Sequence, residues 1–101
     1  MRAYKFPIII EKMNDDETWI HTASCRARIN NYGGKEYAAS GTYQADNTTR
    51  FDMRYNGELA KLIPQETRIV YNGQIYDVAH IDDFMQEHKE LRMRGVLKHG
   101  R

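Results

Sequence analysis

Polar and apolar side chains alternate along four segments of the chain, which is the pattern of a strand with one buried face. These segments are residues 18–30, 49–55, 68–81 and 91–98. Residues 6–13 (FPIIIEKM) add a further strand, and Pro7 suits a strand entry or an edge because proline cannot donate to the ladder. Five or six strands separated by turn residues predict an all-β fold, a small antiparallel barrel or sandwich.

The alternation also predicts which side chains share a face. In residues 18–30 the predicted apolar face holds Trp19, His21, Ala23, Cys25, Ala27 and Ile29. In the later strands it holds Phe51, Met53, Tyr55, Leu91, Met93 and Leu97. The polar faces carry a set of arginines, namely Arg26, Arg28, Arg50, Arg54, Arg92 and Arg94. We therefore expect the arginines on the outside of the fold.

Asn72-Gly73 separates two short apolar runs and predicts a type I′ turn, because both central residues of that turn need a positive φ. The two-residue turn fixes the register. It pairs Tyr71 with Gln74, Val70 with Ile75, Ile69 with Tyr76, and Arg68 with Asp77.

Both faces of this hairpin are apolar. One carries Ile69, Tyr71, Tyr76 and Val78, and the other carries Val70, Ile75 and Ala79. The hairpin therefore has more to bury than one small core needs. We expect the second face to meet another subunit; the alternative is a loop of the same chain folded over it.

Helix is scarce in the pattern. Residues 57–63 (GELAKLI) can form one turn, which Pro64 stops. Residues 82–90 (DDFMQEHKE) can form a short helix or an extended connection.

Residues 30–48 are rich in Gly, Asn, Tyr and Ser and lack sustained alternation, which predicts a long loop between the second and third strands. Tyr32, Tyr37 and Tyr43 suit a loop that orders against a partner, since their rings are apolar and their tips are polar. The alternative is a short helix over residues 35–40 that closes one end of the barrel.

The composition is that of an ordinary globular protein. The 101 residues predict a single domain spanning residues 1–101, and 41 % are hydrophobic and 29 % charged. A net charge of +1, mixed along the chain, argues against a general nucleic-acid binder. Cys25 has no partner for a disulfide, which favours a reducing compartment. Neither a membrane span nor a signal peptide is expected, so the protein should be made in the cytosol.

No catalytic constellation stands out, and we expect no enzymatic activity and no cofactor. Ser24 and Ser40 lie in no nucleophile motif, and Cys25 falls on the apolar side of a strand, where a cysteine behaves as a small hydrophobe. Gly33-Gly34-Lys35 lacks the spacing of a phosphate loop.

Metal ligands are present as residue types, but we predict no metal site. His80, Asp82, Asp83 and His88 lie at a strand end, where such residues are common without a metal. Residues 14–17 (NDDE) are interpreted as a polar turn, because they lack the glycine and spacing of a calcium loop.

The arginine faces allow a second kind of function. A small barrel with an arginine face can bind oligonucleotides, and tyrosines can stack on bases. Acidic residues are interleaved with these arginines, however, namely Asp52, Glu66 and Asp77. A solvated face or a face between subunits is therefore the favoured interpretation.

The order of these features resembles the phage head–tail joining proteins, the head-closure or stopper family of long-tailed bacteriophages and prophages. The resemblance covers nearly the whole chain. It rests on the first strand, the acidic turn at 14–17 followed by Trp19, Gly34-Lys35-Glu36-Tyr37, the strand at 49–55, and the hairpin at 68–78. Residues 38–43 (AASGTY) are shorter than the corresponding family segment, and the basic tail at 98–101 has no clear counterpart.

The resemblance implies a small β-barrel that assembles as a ring below the portal and adaptor, closes the DNA-filled head and offers a docking surface to tail proteins. The loop between the second and third strands would face the channel and gate it. The gating residues carried over are Tyr32, Gly34, Lys35, Glu36, Tyr37, Tyr43 and Asp46. The core or interface residues of the hairpin are Arg68, Val70, Tyr71, Asn72, Gly73, Ile75, Tyr76 and Asp77.

The hypothesis from the sequence is thus a structural virion protein at the head–tail interface, made in the bacterial cytoplasm. It would be a ring on assembly and a monomer when isolated, and packaged DNA would pass through its lumen without sequence-specific binding. No membrane partner is expected. The alternatives are a tail-terminator or tail-completion protein of the same barrel type, and a small-barrel nucleic-acid-binding module.

Overall fold

The computed structural model describes residues 4–31 and 48–98. These residues form six strands: β1 (Phe6–Met13), β2 (Trp19–Asn31), β3 (Thr48–Arg54), β4 (Thr67–Tyr71), β5 (Gln74–Asp83) and β6 (Glu90–Leu97). A single-turn helix, α1 (Gly57–Ala60), and the 3₁₀ turns Pro64–Glu66 and Phe84–Gln86 complete the described elements. The predicted all-β fold with about six strands and at most a short helix is confirmed.

The strands close into an antiparallel barrel in the order β1-β2-β3-β6-β5-β4, and β4 pairs back onto β1. Closure pairs each strand on both sides over part of its length, while β2 before Ala27 pairs only with β1 and β5 beyond Asp77 pairs only with β6. Pro7 is the second residue of β1 and lies at the strand entry, as predicted. It precedes the part of β1 that pairs with β4, which runs from Ile9 to Lys12. Since every pairing is antiparallel, residues directly opposite each other on neighbouring strands share the inner or outer face.

The barrel interior is filled by apolar side chains from the strands and from α1. Its buried cluster consists of Ile8, Ile10, Ala27, Phe51, Met53, Leu59, Ile69, Tyr76, Val78, Leu91 and Met93. The rings of Phe51 and Tyr76 meet edge to face with centroids 5.1 Å apart. The described interior is therefore a packed core.

The predicted hairpin is confirmed in every pair. Tyr71 lies opposite Gln74, Val70 opposite Ile75, Ile69 opposite Tyr76, and Arg68 opposite Asp77. The two turn residues have positive φ angles, 54° at Asn72 and 78° at Gly73, as a type I′ turn requires.

Gly73→Val is expected to lower the free energy of unfolding by about 1–2 kcal/mol, the cost of forcing a β-branched residue into the left-handed region. Gly73→Asn is the matched control, because asparagine tolerates this conformation and should cost only a few tenths of that amount. Urea denaturation of both variants measures the difference. A valine variant as stable as the parent chain would rule out the type I′ assignment.

The predicted face of β2 is wrong at its first residues. Ile10 lies opposite Ala23, but Glu11 lies opposite His21, so Thr22 is an extra residue at a β-bulge. The bulge reverses the alternation, which places Trp19 and His21 on the outer face with Glu11. Ile20 lies opposite Lys12, on the inner face at the end of the barrel.

The single helical turn predicted within residues 57–63 is confirmed, and it spans Gly57–Ala60. The Asn56 side chain caps α1 by accepting hydrogen bonds from the backbone nitrogens of Glu58 (2.8 Å) and Leu59 (3.3 Å). The helix ends at Ala60, because a residue before proline avoids the helical region and Ile63 is extended (φ −91°, ψ 119°). Of the two alternatives for residues 82–90, the extended connection is closer, since β5 continues to Asp83 before a brief 3₁₀ turn. Among the described helices, none has the length and hydrophobicity to cross a bilayer.

Candidate interaction surfaces on the barrel wall

Charged side chains cover the outer face of β2, β3, β6 and β5. Two rows cross these strands in register. One row is Arg28, Asp52, Arg92 and Asp82, and the other is Asn30, Arg50, Arg94 and His80. We call these eight residues the charged belt. Charge alternates in sign along the first row, while the second row contains no carboxylate.

Asp52 is the buried centre of the charged belt. Its side chain is fully buried (0 % exposed), although the alternation predicts only a polar outward face for it. Arg50 Nε donates to Asp52 Oδ1 at 2.8 Å, and Asn30 Nδ2 donates to Asp52 Oδ2 at 3.1 Å. Arg28 Nη2 lies 3.3 Å from Oδ2, and Arg28 also forms an ion pair with Glu90. The Asp52 carboxylate thus binds two guanidinium groups, from two strands, and one side-chain amide.

A depression of about 270 Å³ opens on the charged belt, which we call the arginine pocket; its lining residues are Arg50, His80, Asp82, Arg92 and Arg94. Arg92 forms one side, with its guanidinium carbon 3.5 Å from the centroid of the Phe84 ring. His80 and Arg94 are exposed. The pocket therefore presents more positive than negative charge to solvent.

Apolar side chains form a row on the outer face of the opposite wall. Ile9 lies opposite Val70 on β4, and Val70 lies opposite Ile75 on β5. We call these three residues the apolar stripe. Ile9 is 37 % exposed and Ile75 is 9 % exposed. The stripe shows that the hairpin is apolar on both faces, because Ile69 and Tyr76 of the same hairpin fill the core.

A polar row borders the apolar stripe. Glu11, Arg68 and Asp77 lie side by side in register. Arg68 lies opposite Asp77 as predicted, but its Nε donates to Glu11 Oε1 on the other side at 2.6 Å. The same guanidinium lies over the Trp19 ring, 4.3 Å from its centroid. These contacts order Arg68 on the outer wall.

The residues predicted for the hairpin divide between core, wall and turn. Tyr76 is buried, and the Tyr71 ring contacts Phe6 and Phe51 with centroids 6.1 and 6.5 Å away. Asn72 and Gly73 form the exposed turn. The predicted gating residues, Tyr32, Gly34, Lys35, Glu36, Tyr37, Tyr43 and Asp46, all lie outside the described residues.

Cys25 packs against the core, as its place in the alternation predicts. Burial raises the pKa of the thiol, since a charged thiolate loses its hydration there.

We expect iodoacetamide to alkylate Cys25 at pH 8 roughly tenfold more slowly in the folded chain than in the chain unfolded by urea. A raised pKa leaves less reactive thiolate at that pH, and packing limits access. Intact mass spectrometry over time measures both rates. Equal rates in the two states would contradict the burial of this side chain.

At the end of β5, His88 pairs with the carboxylate of Asp83. His88 Nδ1 lies 2.5 Å from Asp83 Oδ2, and the His88 ring stacks at a tilt against Tyr55, 4.8 Å between centroids. In residues 4–31 and 48–98, no three His, Cys, Asp or Glu side chains converge as a metal site would require.

The polar turn predicted at residues 14–17 is confirmed. Glu17 N donates to Asn14 O at 2.9 Å, and Asn14 N donates to Thr18 O at 2.7 Å. Thr18 Oγ1 donates to Asp16 Oδ1 at 2.7 Å, and this hydrogen bond lowers the pKa of Asp16.

These features define a small closed β-barrel with chemically different surfaces on opposite walls. The family model of the phage head completion proteins matches residues 11–94, and the chain belongs to this family. The match extends from the second half of β1 into β6. Membership confirms the resemblance seen in the sequence and gives the protein a structural role in the phage head.

Solved structures share the fold. Protein SF1141 from Shigella flexneri 2a, a solution structure, is 20 % identical, with a TM-score of 0.67 over 100 % of both chains. A chain from the virion of a native gene transfer agent particle is 13 % identical, with a TM-score of 0.65 over 99 % of this chain and 100 % of that one. No curated protein matches the chain.

Proposed function

We propose that the protein is a non-enzymatic part of the head–tail connector, a ring that assembles below the portal and adaptor, closes the DNA-filled head and offers the tail a docking surface. Its location would be the head–tail interface of the virion. The whole chain, residues 1–101, would act as one barrel domain.

The observation that carries this proposal is the apolar stripe on the outside of a barrel whose interior is already filled. The stripe lies on the outer wall, where Ile75 is buried within the chain but Ile9 stays 37 % exposed, so apolar surface remains there for a neighbouring subunit to bury. In a ring each subunit contacts its neighbours through two different surfaces, because the contact is head to tail. The apolar stripe supplies one such surface, and the charged belt on the far wall differs from it in chemistry.

The loop between β2 and β3 is proposed to gate the channel. Antiparallel pairing brings the end of β2, the start of β3 and the Asn72-Gly73 turn to the same end of the barrel. A gating loop attached at this end of the barrel would act next to the hairpin. Glu36 and Asp46 are the proposed lumen carboxylates, which would let DNA slide, since strong basic contacts would retard it.

The test is assembly on the portal–adaptor complex. Ile9→Glu puts a charge in the apolar stripe at its most exposed position, and it should reduce binding to the complex at least tenfold in a sedimentation assay. Gln65→Glu is the control, because it adds the same side chain at an exposed site away from the stripe. Circular dichroism verifies that both variants fold.

Equal binding by Ile9→Glu and the parent chain would refute the role of the stripe. Retention of the monomer on DNA at moderate salt would instead favour the nucleic-acid-binding module. The buried Asp52 and the neighbouring Glu90 oppose that alternative, because they neutralise part of the arginine surface. Assembly on tail components alone would favour a tail-terminator or tail-completion protein.

A further inference from the structure

We propose that the arginine pocket binds carboxylates and that its occupant is the acidic turn of a second copy, Asp15, Asp16 and Glu17. This inference rests on the proposed function and extends it, because it names a polar contact between neighbouring subunits.

The arginine pocket has unused capacity for an anion. Arg94 makes no ion pair with any residue in 4–31 or 48–98, and the row that contains it has no carboxylate. Arg92 makes only long ion pairs with the described residues: its buried Nε lies 3.8 Å from Asp52 Oδ1 without a hydrogen bond, and its Nη2 lies 3.7 Å from Glu90 Oε1. The Phe84 ring holds the Arg92 guanidinium in place, so little entropy is lost when it binds a ligand.

The chemistry of the pocket favours a carboxylate over a DNA backbone. Asp82 lies in the pocket wall and Asp52 lies beneath it, so a continuous phosphate strand would meet negative charge on the same face. A single side-chain carboxylate of a protein can enter between the arginines and accept two parallel hydrogen bonds from one guanidinium.

The acidic turn matches this requirement in charge and shape. Its three acidic side chains are all exposed. The turn is a tight hairpin connection, held by the Asn14–Thr18 and Asp16–Thr18 hydrogen bonds. Because Asp16 holds the turn, Asp15 and Glu17 are the carboxylates left to enter a partner's pocket.

The topology places donor and acceptor on opposite walls. The turn joins β1 to β2, while the pocket centres on β6, which is three strands from β1 and two strands from β2 in the closed order. A contact between the two sites therefore propagates from one subunit to the next, which is what a ring requires, and cannot close within one chain.

The test uses two full-length chains, each of which keeps only one of the two sites. The first is ¹⁵N-labelled and carries Asp15→Asn and Glu17→Gln, so it keeps the pocket and loses the acidic turn. The second is unlabelled and carries Arg94→Glu, so it keeps the turn and loses the pocket. Mixing them should shift the amide signals of His80, Arg92 and Arg94 in the labelled chain and saturate at one to one.

The control is an unlabelled chain with all three substitutions, which should bind at least tenfold more weakly. No shift with the turn-bearing chain at millimolar concentration would overturn the proposal, even if the parent chain still forms a ring on the portal–adaptor complex. Shifts of the same amides by a 20-base-pair DNA duplex, without shifts by the turn-bearing chain, would overturn it in favour of phosphate binding.

Discussion

Asp52→Asn is expected to lower the free energy of unfolding by about 3 kcal/mol, at the low end of the range for breaking a buried ion pair. The variant keeps the shape of the side chain but removes the negative charge at the centre of the charged belt. Arg28, Arg50 and Arg92 then repel one another across three strands. The low end applies because these arginine side chains remain 20–25 % exposed and water still screens them.

Asp82→Asn is the matched control, since it makes the same chemical change at an exposed position in the same row. It should change stability by less than about 0.5 kcal/mol. Urea denaturation of both variants gives the comparison, and equal slopes would show that the unfolded states are alike. If Asp52→Asn costs no more than Asp82→Asn, then the carboxylate does not hold the belt together.

Gly95→Ala should be the second most damaging change, with a loss of about 2 kcal/mol. Gly95 faces the barrel interior, where a Cβ atom would lie 3.0 Å from Tyr76 Cβ and 3.3 Å from Phe51 Cε1. Tyr76 Cβ is anchored to the β5 backbone, so relief requires β5 and β6 to move apart. The rings of Phe51 and Tyr76 would also lose their edge-to-face packing.

Gly57→Ala is the control for this prediction, because a Cβ there meets nothing within 4 Å. Alanine also forms helix better than glycine, so this variant should be neutral or slightly stabilised. Thermal unfolding should show Gly95→Ala melting roughly 10 °C below the parent chain. Matching melting temperatures for the two variants would mean that the β5–β6 contact can expand at little cost.

Much of the fold could be predicted because each strand has one buried face, and a period of two reports that directly. The range of β1 and every pair of the 68–77 hairpin follow from the sequence in this way. Closure of the barrel could not be derived from periodicity, since the β1–β4 pairing joins strands that are distant in the chain. The strand pattern left a barrel and a sandwich open, and the resemblance to a known family favoured the barrel.

The candidate surfaces were less predictable, for two physical reasons. A β-bulge inserts one residue and reverses the alternation, so a strict period of two places Trp19 and His21 on the wrong face. The burial of Asp52 depends on three strands bringing their arginines together, and the alternation shows only that each residue faces outward. The available signal was Asp52 between Arg50 and Arg54 on one strand, with arginines on the polar faces of two other strands. The gating role of the loop at residues 30–48 stays a prediction.

The most direct test of the connector is electron microscopy of the full chain mixed with its portal–adaptor complex. We expect added density below the portal, a closed ring in which each subunit presents the apolar stripe on one side and the charged belt on the other. A complex that gains no density, or subunits that contact each other through identical surfaces, would contradict it.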